Sequence, residues 1–88
     1  MTDAFTPPFR LTAPQQMVVE HLQQGHTLFS SRIAEAPRAW INNARGQHQR
    51  WVSERTLVSL FEKKIIEPTV HEHHIDWRLT PMEQWVDV

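Results

Sequence analysis

The sequence predicts a single α+β domain in which a helix, a β-hairpin, a second helix and a second β-hairpin follow one another. Three observations support this prediction. The chain has 88 residues, the length of one small domain. Two segments carry apolar residues at helical spacing behind a residue suited to cap a helix. Two other segments are rich in β-branched and aromatic residues and contain turn-forming residues.

The first helix is predicted within "LTAPQQMVVEHLQQG", residues 11–25. Thr12 is a good N-cap, and Gln15 stands three residues later, as a capping box requires. Pro14 falls in the first turn, where its missing N–H does no harm. Gly25 is the expected stop, since glycine readily adopts the left-handed conformation that ends helices. An apolar stripe lies between these signals: Met17, Val18, His21 and Leu22.

An extended arm, residues 1–10, is predicted before this helix, because two adjacent prolines at positions 7 and 8 disfavour helix. We expect Phe5 and Phe9, which flank the prolines, to hold the arm on the core or to contact a partner.

The first hairpin is predicted with strands near 27–33 and 39–43, because this part of the chain is rich in strand-type residues such as Phe29 and Trp40. The segment "EAPRA" between them contains a proline and is typical of a turn. The polar segment "NNARGQHQ", residues 42–49, is predicted to be a loop around Gly46.

The second helix is predicted from the N-cap Ser53, with Glu54 complementing the positive end of the helix dipole. Leu57, Leu60 and Phe61 share the face expected to enter the core. The opposite face carries Arg55, Ser59, Glu62 and Lys63.

The second hairpin is predicted to have its tip near residues 71–74. Ile75, Trp77 and Leu79 alternate with polar residues, as in a half-buried strand. Residues 82–88 are predicted to form a short tail after the domain, which spans 11–81. Of the four tryptophans, we expect Trp85 in the tail to be exposed and the other three (Trp40, Trp51 and Trp77) to fill the core.

The segment "VSERTLVSLFEKKII" followed by "WRLTP" resembles a winged-helix domain. Such domains carry S-x-x-T-[LV]-x-x-L-x-x-x-G-L-I in one helix and [YW]-x-L-T in the strand that closes the wing. The matching residues are Ser53, Thr56, Leu57, Leu60, Ile65, Ile66, Trp77, Leu79 and Thr80. The segments "LTAPQQ" and "RAWINN" resemble small phage and proteobacterial proteins that place a hairpin before this helix. The resemblance implies a compact winged helix over residues 11–81. Lys64 departs from the pattern, since it stands where the pattern has glycine.

Composition limits the classes of function. No apolar run approaches the ~18 residues of a membrane span, and residues 1–10 are not expected to be a signal peptide, because they lack a basic start and an apolar stretch. The chain has no cysteine, which fits a cytoplasmic protein. The formal net charge is −1, which argues against strong non-specific binding to nucleic acids. Residues 32–64 are an exception, with seven basic and three acidic side chains.

One hypothesis is a small DNA-binding or regulatory protein of bacterial or phage type. Arg55, Ser59 and Lys63 would face the major groove of double-stranded DNA from the second helix. Thr56 would meet a phosphate at the start of that helix. Further contacts with the DNA backbone are predicted from three other residues: Arg45, Arg50 and His73.

The alternative hypothesis is a winged-helix protein-interaction module that does not bind DNA and that forms a homodimer or binds another protein. Four tryptophans in a chain of 88 residues is a high count, and tryptophan is enriched at binding hot spots. Phe5, Phe9 and Trp85 are the candidate partner-binding residues.

Enzymatic activity is not predicted, because the sequence contains no phosphate-binding glycine loop and no nucleophile motif. No cofactor and no small-molecule substrate are predicted. The segment "HEHH", residues 71–74, places two imidazoles on one face of a strand, which is fewer than zinc requires. We therefore predict a solvated hairpin tip there and no metal site.

Overall fold

The computed structural model describes residues 7–32 and 39–88. The described residues form two α-helices, five strands and one 3₁₀ turn. The helices are α1 (Ala13–Gln23) and α2 (Glu54–Glu62). The strands are β1 (Thr27–Ser31), β2 (Ala39–Asn42), β3 (His48–Val52), β4 (Ile66–Val70) and β5 (His74–Leu79). The 3₁₀ turn, Met82–Gln84, follows β5.

The start of α1 is the capping box that the sequence predicts. The Thr12 hydroxyl accepts from the Gln15 N–H at 3.3 Å, and the Gln15 side chain accepts from the Thr12 N–H at 2.9 Å. Both donors would otherwise lack a partner in the helix. The helix ends before Gly25, whose φ of 87° is the left-handed conformation expected there.

The strands form one antiparallel sheet in the order β3-β2-β1-β5-β4. Its centre is the pairing of β1 with β5, which joins the two halves of the chain: Leu28 lies opposite Trp77 and Ser30 opposite Ile75. Ser30 also accepts a buried hydrogen bond from the Trp77 indole at 2.9 Å. The strand order therefore places β1, the first strand, in the middle of the sheet.

This sheet corrects the predicted winged helix, which is wrong. The predicted loop at 42–49 is a short turn, and residues 48–52 form a third strand that extends the first hairpin. The two hairpins are not separate units, because β1 pairs with β5. Four of the five β3 residues are exposed, so the strand lacks the alternation of apolar and polar residues that would have revealed it.

The core lies between the two helices and one face of the sheet. The buried residues of α1 and α2 (Val18, Val19, Leu57 and Leu60) pack with Leu28, Ile41 and Trp77 from the strands. We call this side of the sheet the helix-covered face and the other side the open face. Side chains alternate between the two faces along each strand, so Phe29 and Trp40, neighbours of Leu28 and Ile41, lie on the open face.

Candidate binding surface on the open face of the sheet

Two residues of α2 that were predicted to contact DNA, Thr56 and Ser59, form hydrogen bonds within the domain. Thr56 is only 8% exposed, and its hydroxyl lies 2.8 Å from that of Ser53. The Ser59 hydroxyl accepts from the Gln15 amide of α1 at 3.0 Å and donates to the Thr56 carbonyl at 2.8 Å. The Ser59 hydroxyl therefore links α2 to α1, and the Thr56 hydroxyl contacts the N-cap residue Ser53.

Lys63, the third predicted contact on this helix face, is held by the C-terminal segment. Its Nζ donates to the Val88 carbonyl at 2.9 Å and lies 3.5 Å from the Asp87 carboxylate. The same Nζ lies 5.2 Å from the ring centre of Phe9, a distance typical of a cation–π contact. Arg55, by contrast, is exposed in the first turn of α2.

The structure separates the remaining basic candidates. Arg45 lies in the turn between β2 and β3, where its backbone N–H donates to the Asn43 side-chain oxygen at 2.9 Å. His73 lies in the turn between β4 and β5, at the opposite end of the sheet. Arg50 is exposed on β3, where it faces Ile41. The predicted DNA-contacting residues are therefore dispersed over the molecule.

Two of the predicted partner-binding aromatics pack against the domain. Trp85 is 8% exposed, which corrects the expectation that it lies at the surface. Its indole N–H donates to the Thr80 carbonyl at 3.1 Å. Phe9 is partly buried against the core. Phe5 lies outside the described residues.

The open face instead carries three aromatic side chains on adjacent strands. Phe29 on β1 lies opposite Trp40 on β2, and Trp40 lies opposite Trp51 on β3. Their ring centres are 5.8 Å and 6.3 Å apart, distances at which aromatic pairs attract each other. Trp51 is 62% exposed. Trp40 and Trp51 thus lie on the open face, which corrects their predicted place in the core.

Histidines extend this line of three aromatic side chains at both ends. The His48 ring is 4.7 Å from that of Trp51. At the other end, the His74 ring meets Phe29 edge-on at 5.5 Å, and His71 stacks on His74 at 4.6 Å. We call these six residues the aromatic row: His48, Trp51, Trp40, Phe29, His74 and His71. The row crosses four strands of the sheet.

Polar side chains lie beside the aromatic row. Asn42 lines a shallow cleft with Phe29, Trp40 and His74. Asp76 lies opposite Phe29 on β5. The surface therefore combines ring faces for stacking with amide and carboxylate groups that can donate or accept hydrogen bonds.

A second histidine pair lies away from the row, between the end of α1 and the start of β1. The Nδ1 atoms of His21 and His26 are 2.8 Å apart. Burial lowers the pKa of His21, and the nearby His26 and Arg50 lower it further, while Glu20 acts in the opposite direction. A neutral ring at His21 is therefore favoured.

A local signal for the open face was present in the sequence. In three strands an aromatic residue adjoins an aliphatic one: Leu28-Phe29, Trp40-Ile41 and Trp51-Val52. Adjacent residues of a strand point to opposite faces, so only one member of each pair can enter the same core. In all three strands the aliphatic member is buried.

Across residues 7–32 and 39–88, no three histidine, aspartate or glutamate side chains are grouped so that they would hold a metal ion. Neither of the two helices in these ranges has the length and apolar character needed to cross a membrane. Comparison of the chain with protein-family models, curated proteins and solved structures gave no match.

Proposed function

We propose that the protein binds single-stranded nucleic acid on the open face of the sheet, with bases stacked on the aromatic row. The observation that carries this proposal is the ladder of Phe29, Trp40 and Trp51 on three adjacent strands. Both helices of the described residues pack on the other face. Aromatic side chains on an open sheet are one of the common ways in which proteins bind unpaired bases.

The arrangement favours single strands over duplexes. Bases in a duplex stack on one another, and their faces are not accessible to protein rings. Adjacent strands of a sheet are ~4.8 Å apart, so three successive strands offer a platform about 10 Å wide. This width suits two or three unpaired bases, about the number that comparable sheets hold.

The charge of the protein is consistent with binding through bases more than through phosphates. The formal net charge is −1, and the basic candidates Arg45, Arg50 and Arg55 are not gathered beside the row. Stacking requires no net charge, because it uses the faces of the bases. We therefore expect few phosphate contacts and a weak dependence of affinity on salt, since each contact contributes only about −0.7 to the slope of log affinity against log salt concentration.

The proposal predicts that Trp40→Ala and Trp51→Ala each weaken the binding of a fluorescein-labelled ten-nucleotide oligothymidine. Loss of one base–aromatic stack costs about 1–3 kcal/mol, or roughly 5- to 100-fold in affinity. Fluorescence anisotropy at low salt measures the dissociation constant. Phe61→Ala is the control, because Phe61 is also exposed (49%) but lies on α2, on the other side of the sheet. The proposal fails if Phe61→Ala weakens binding as much, or if a duplex of the same length binds as well.

A protein partner is the second candidate function, and one observation favours it. Asp76 faces Phe29 across the strands, and a carboxylate beside the row repels phosphates while it can pair with a cationic side chain. If oligothymidine does not bind, and Trp40 and Trp51 resonances change with protein concentration, the aromatic row is a surface for self-association.

A further inference from the structure

A second exposed apolar surface lies on the helix-covered side of the sheet. Val58 and Phe61 of α2 are 43% and 49% exposed, and the exposure of Phe61 corrects the prediction that it enters the core. They line a groove between α2 and the sheet together with Leu57, Ile75 and Trp77. Because Val70 (58% exposed) faces Ile75 across β4 and β5, the apolar surface continues to the edge of the sheet.

The floor of this groove is well ordered by contacts within the fold. The Trp77 ring meets Phe61 edge-on at 5.5 Å. Its indole N–H is bonded to the Ser30 hydroxyl at 2.9 Å, and Ser30 also lines the groove. A ligand here would therefore meet a formed surface, and would lose little free energy in ordering it.

Acidic side chains outnumber basic ones along the groove and the cleft that adjoins it. Glu54 precedes Val58 by one helical turn, and Glu62 follows it by one turn, so both share its stripe of α2. Glu54 lines the groove, and Glu62 lines the adjoining cleft beyond Phe61. Both carboxylates are exposed. Lys64 and Glu67 line that adjoining cleft as well, so its two carboxylates outnumber its one ammonium group.

From these observations we infer that the groove binds a short peptide segment that is apolar in the middle and basic at both ends. Eight residues of helix separate the two glutamates by ~12 Å. An extended peptide covers ~13 Å in four residues. Lysine or arginine at the first and fifth positions of the segment can thus reach Glu54 and Glu62 while the apolar residues between them cover Val58 and Phe61. This site is on the opposite side of the sheet from the aromatic row and does not depend on the function proposed for it.

The test is an NMR titration of the ¹⁵N-labelled protein with the peptide acetyl-Lys-Leu-Phe-Leu-Lys-amide. We expect the Trp77 indole resonance and the α2 amides near Val58 to shift and to saturate. A peptide with glutamate in place of both lysines should bind at least 10-fold more weakly. Binding of the lysine peptide should weaken as salt is raised, since exposed charge pairs are screened.

Two variants locate the site. Val58→Lys replaces an exposed apolar contact with a repelling charge, and Glu54→Lys removes one of the two attractive charges. Each should weaken binding at least 10-fold while the rest of the spectrum stays that of the folded protein. Val88→Lys is the matched control, because Val88 is 72% exposed at the C-terminus. This variant should bind the peptide as the unmodified protein does.

Three results would overturn the inference. The first is saturating binding that Val58→Lys leaves unchanged. The second is equal binding of the acidic peptide. The third is a set of groove resonances that shift with protein concentration before any peptide is added, which would identify a second copy of the chain as the occupant.

Discussion

At the scale of single residues, Lys64 is the position where sequence and backbone conflict. Its φ is 58°, the left-handed region that costs a residue with a Cβ about 1–2 kcal/mol. The residue directly follows the C-cap Lys63, and its N–H donates to the Phe61 carbonyl at 3.0 Å. The winged-helix pattern has glycine at this position, but the fold that this pattern predicted is wrong. Lys64 adopts the left-handed conformation that ends the helix, although it is not a glycine.

Replacing Lys64 with glycine should therefore stabilise the protein. The expected gain in the free energy of unfolding is about 0.5–1 kcal/mol, because relief of the strain exceeds the added entropy of the unfolded chain. Urea denaturation at neutral pH measures it. Gly25→Ala is the reciprocal control. The φ of Gly25 is 87°, and nothing lies within 4 Å of the added Cβ. The free energy of unfolding should therefore fall by a similar amount through backbone strain alone. A Lys64→Gly protein with unchanged or lower stability would contradict the argument.

At the scale of elements, the histidine pair joins α1 to β1 and should make the stability depend on pH. One Nδ1 must accept the hydrogen bond between His21 and His26, so protonating both rings removes it. The folded-state pKa of His21 is below its ordinary value of 6.5, and the folded state thus binds fewer protons than the unfolded state. This contribution to stability is present above pH 6.5 and is lost as the pH falls below it.

We expect the free energy of unfolding to be lower at pH 5.5 than at pH 7.5, and the difference to be smaller in a His21→Gln variant. Urea denaturation at the two pH values measures both quantities. His73→Gln is the control, because this side chain is 66% exposed at the tip of the second hairpin. If His21→Gln shows the same pH dependence as the unmodified protein, the pair does not act as described.

At the scale of the whole molecule, the C-terminal segment is part of the domain. Trp85 belongs to the core, and the Val86 N–H donates to the Lys63 carbonyl at 2.8 Å. The segment thus closes the end of α2. The sequence-based boundary at residue 81 divides the chain before one of its largest core side chains.

Trp85→Ala should consequently lower the free energy of unfolding by about 3–5 kcal/mol, the cost of truncating a buried large aromatic residue. Small domains have only about 5–15 kcal/mol in total, so this variant should be close to unfolding at room temperature. Trp85→Phe should lose less, since most of the apolar contact remains. Chemical denaturation followed by circular dichroism measures both variants. A loss under 1 kcal/mol for Trp85→Ala would show that the segment is a dispensable tail.

Much of the local structure was predicted from the sequence. The candidate site was not predicted, although an aromatic residue beside an aliphatic one in each of three strands was a local signal for the open face. The start of α1 at Thr12 and the start of α2 at Ser53 are confirmed, because a cap and its helix involve residues only three or four apart. The strand β3 was missed, because an edge strand with four exposed residues has no alternation to detect. Because β3 was not predicted, Trp51 could not be placed beside Trp40 from the sequence.

The sequence by itself determined where the helices begin and that the second half of the chain contains a hairpin. Each of these depends on contacts between near neighbours in the chain. Only the tertiary structure decided that β1 pairs with β5, that Trp85 is buried and that Phe29, Trp40 and Trp51 share one open face. Leu28 and Trp77 are 49 positions apart, and a shift of one residue in their register would turn every side chain of a strand to the other face. Such long-range pairing is decided by the packing of the whole core, and no short segment of the sequence contains it.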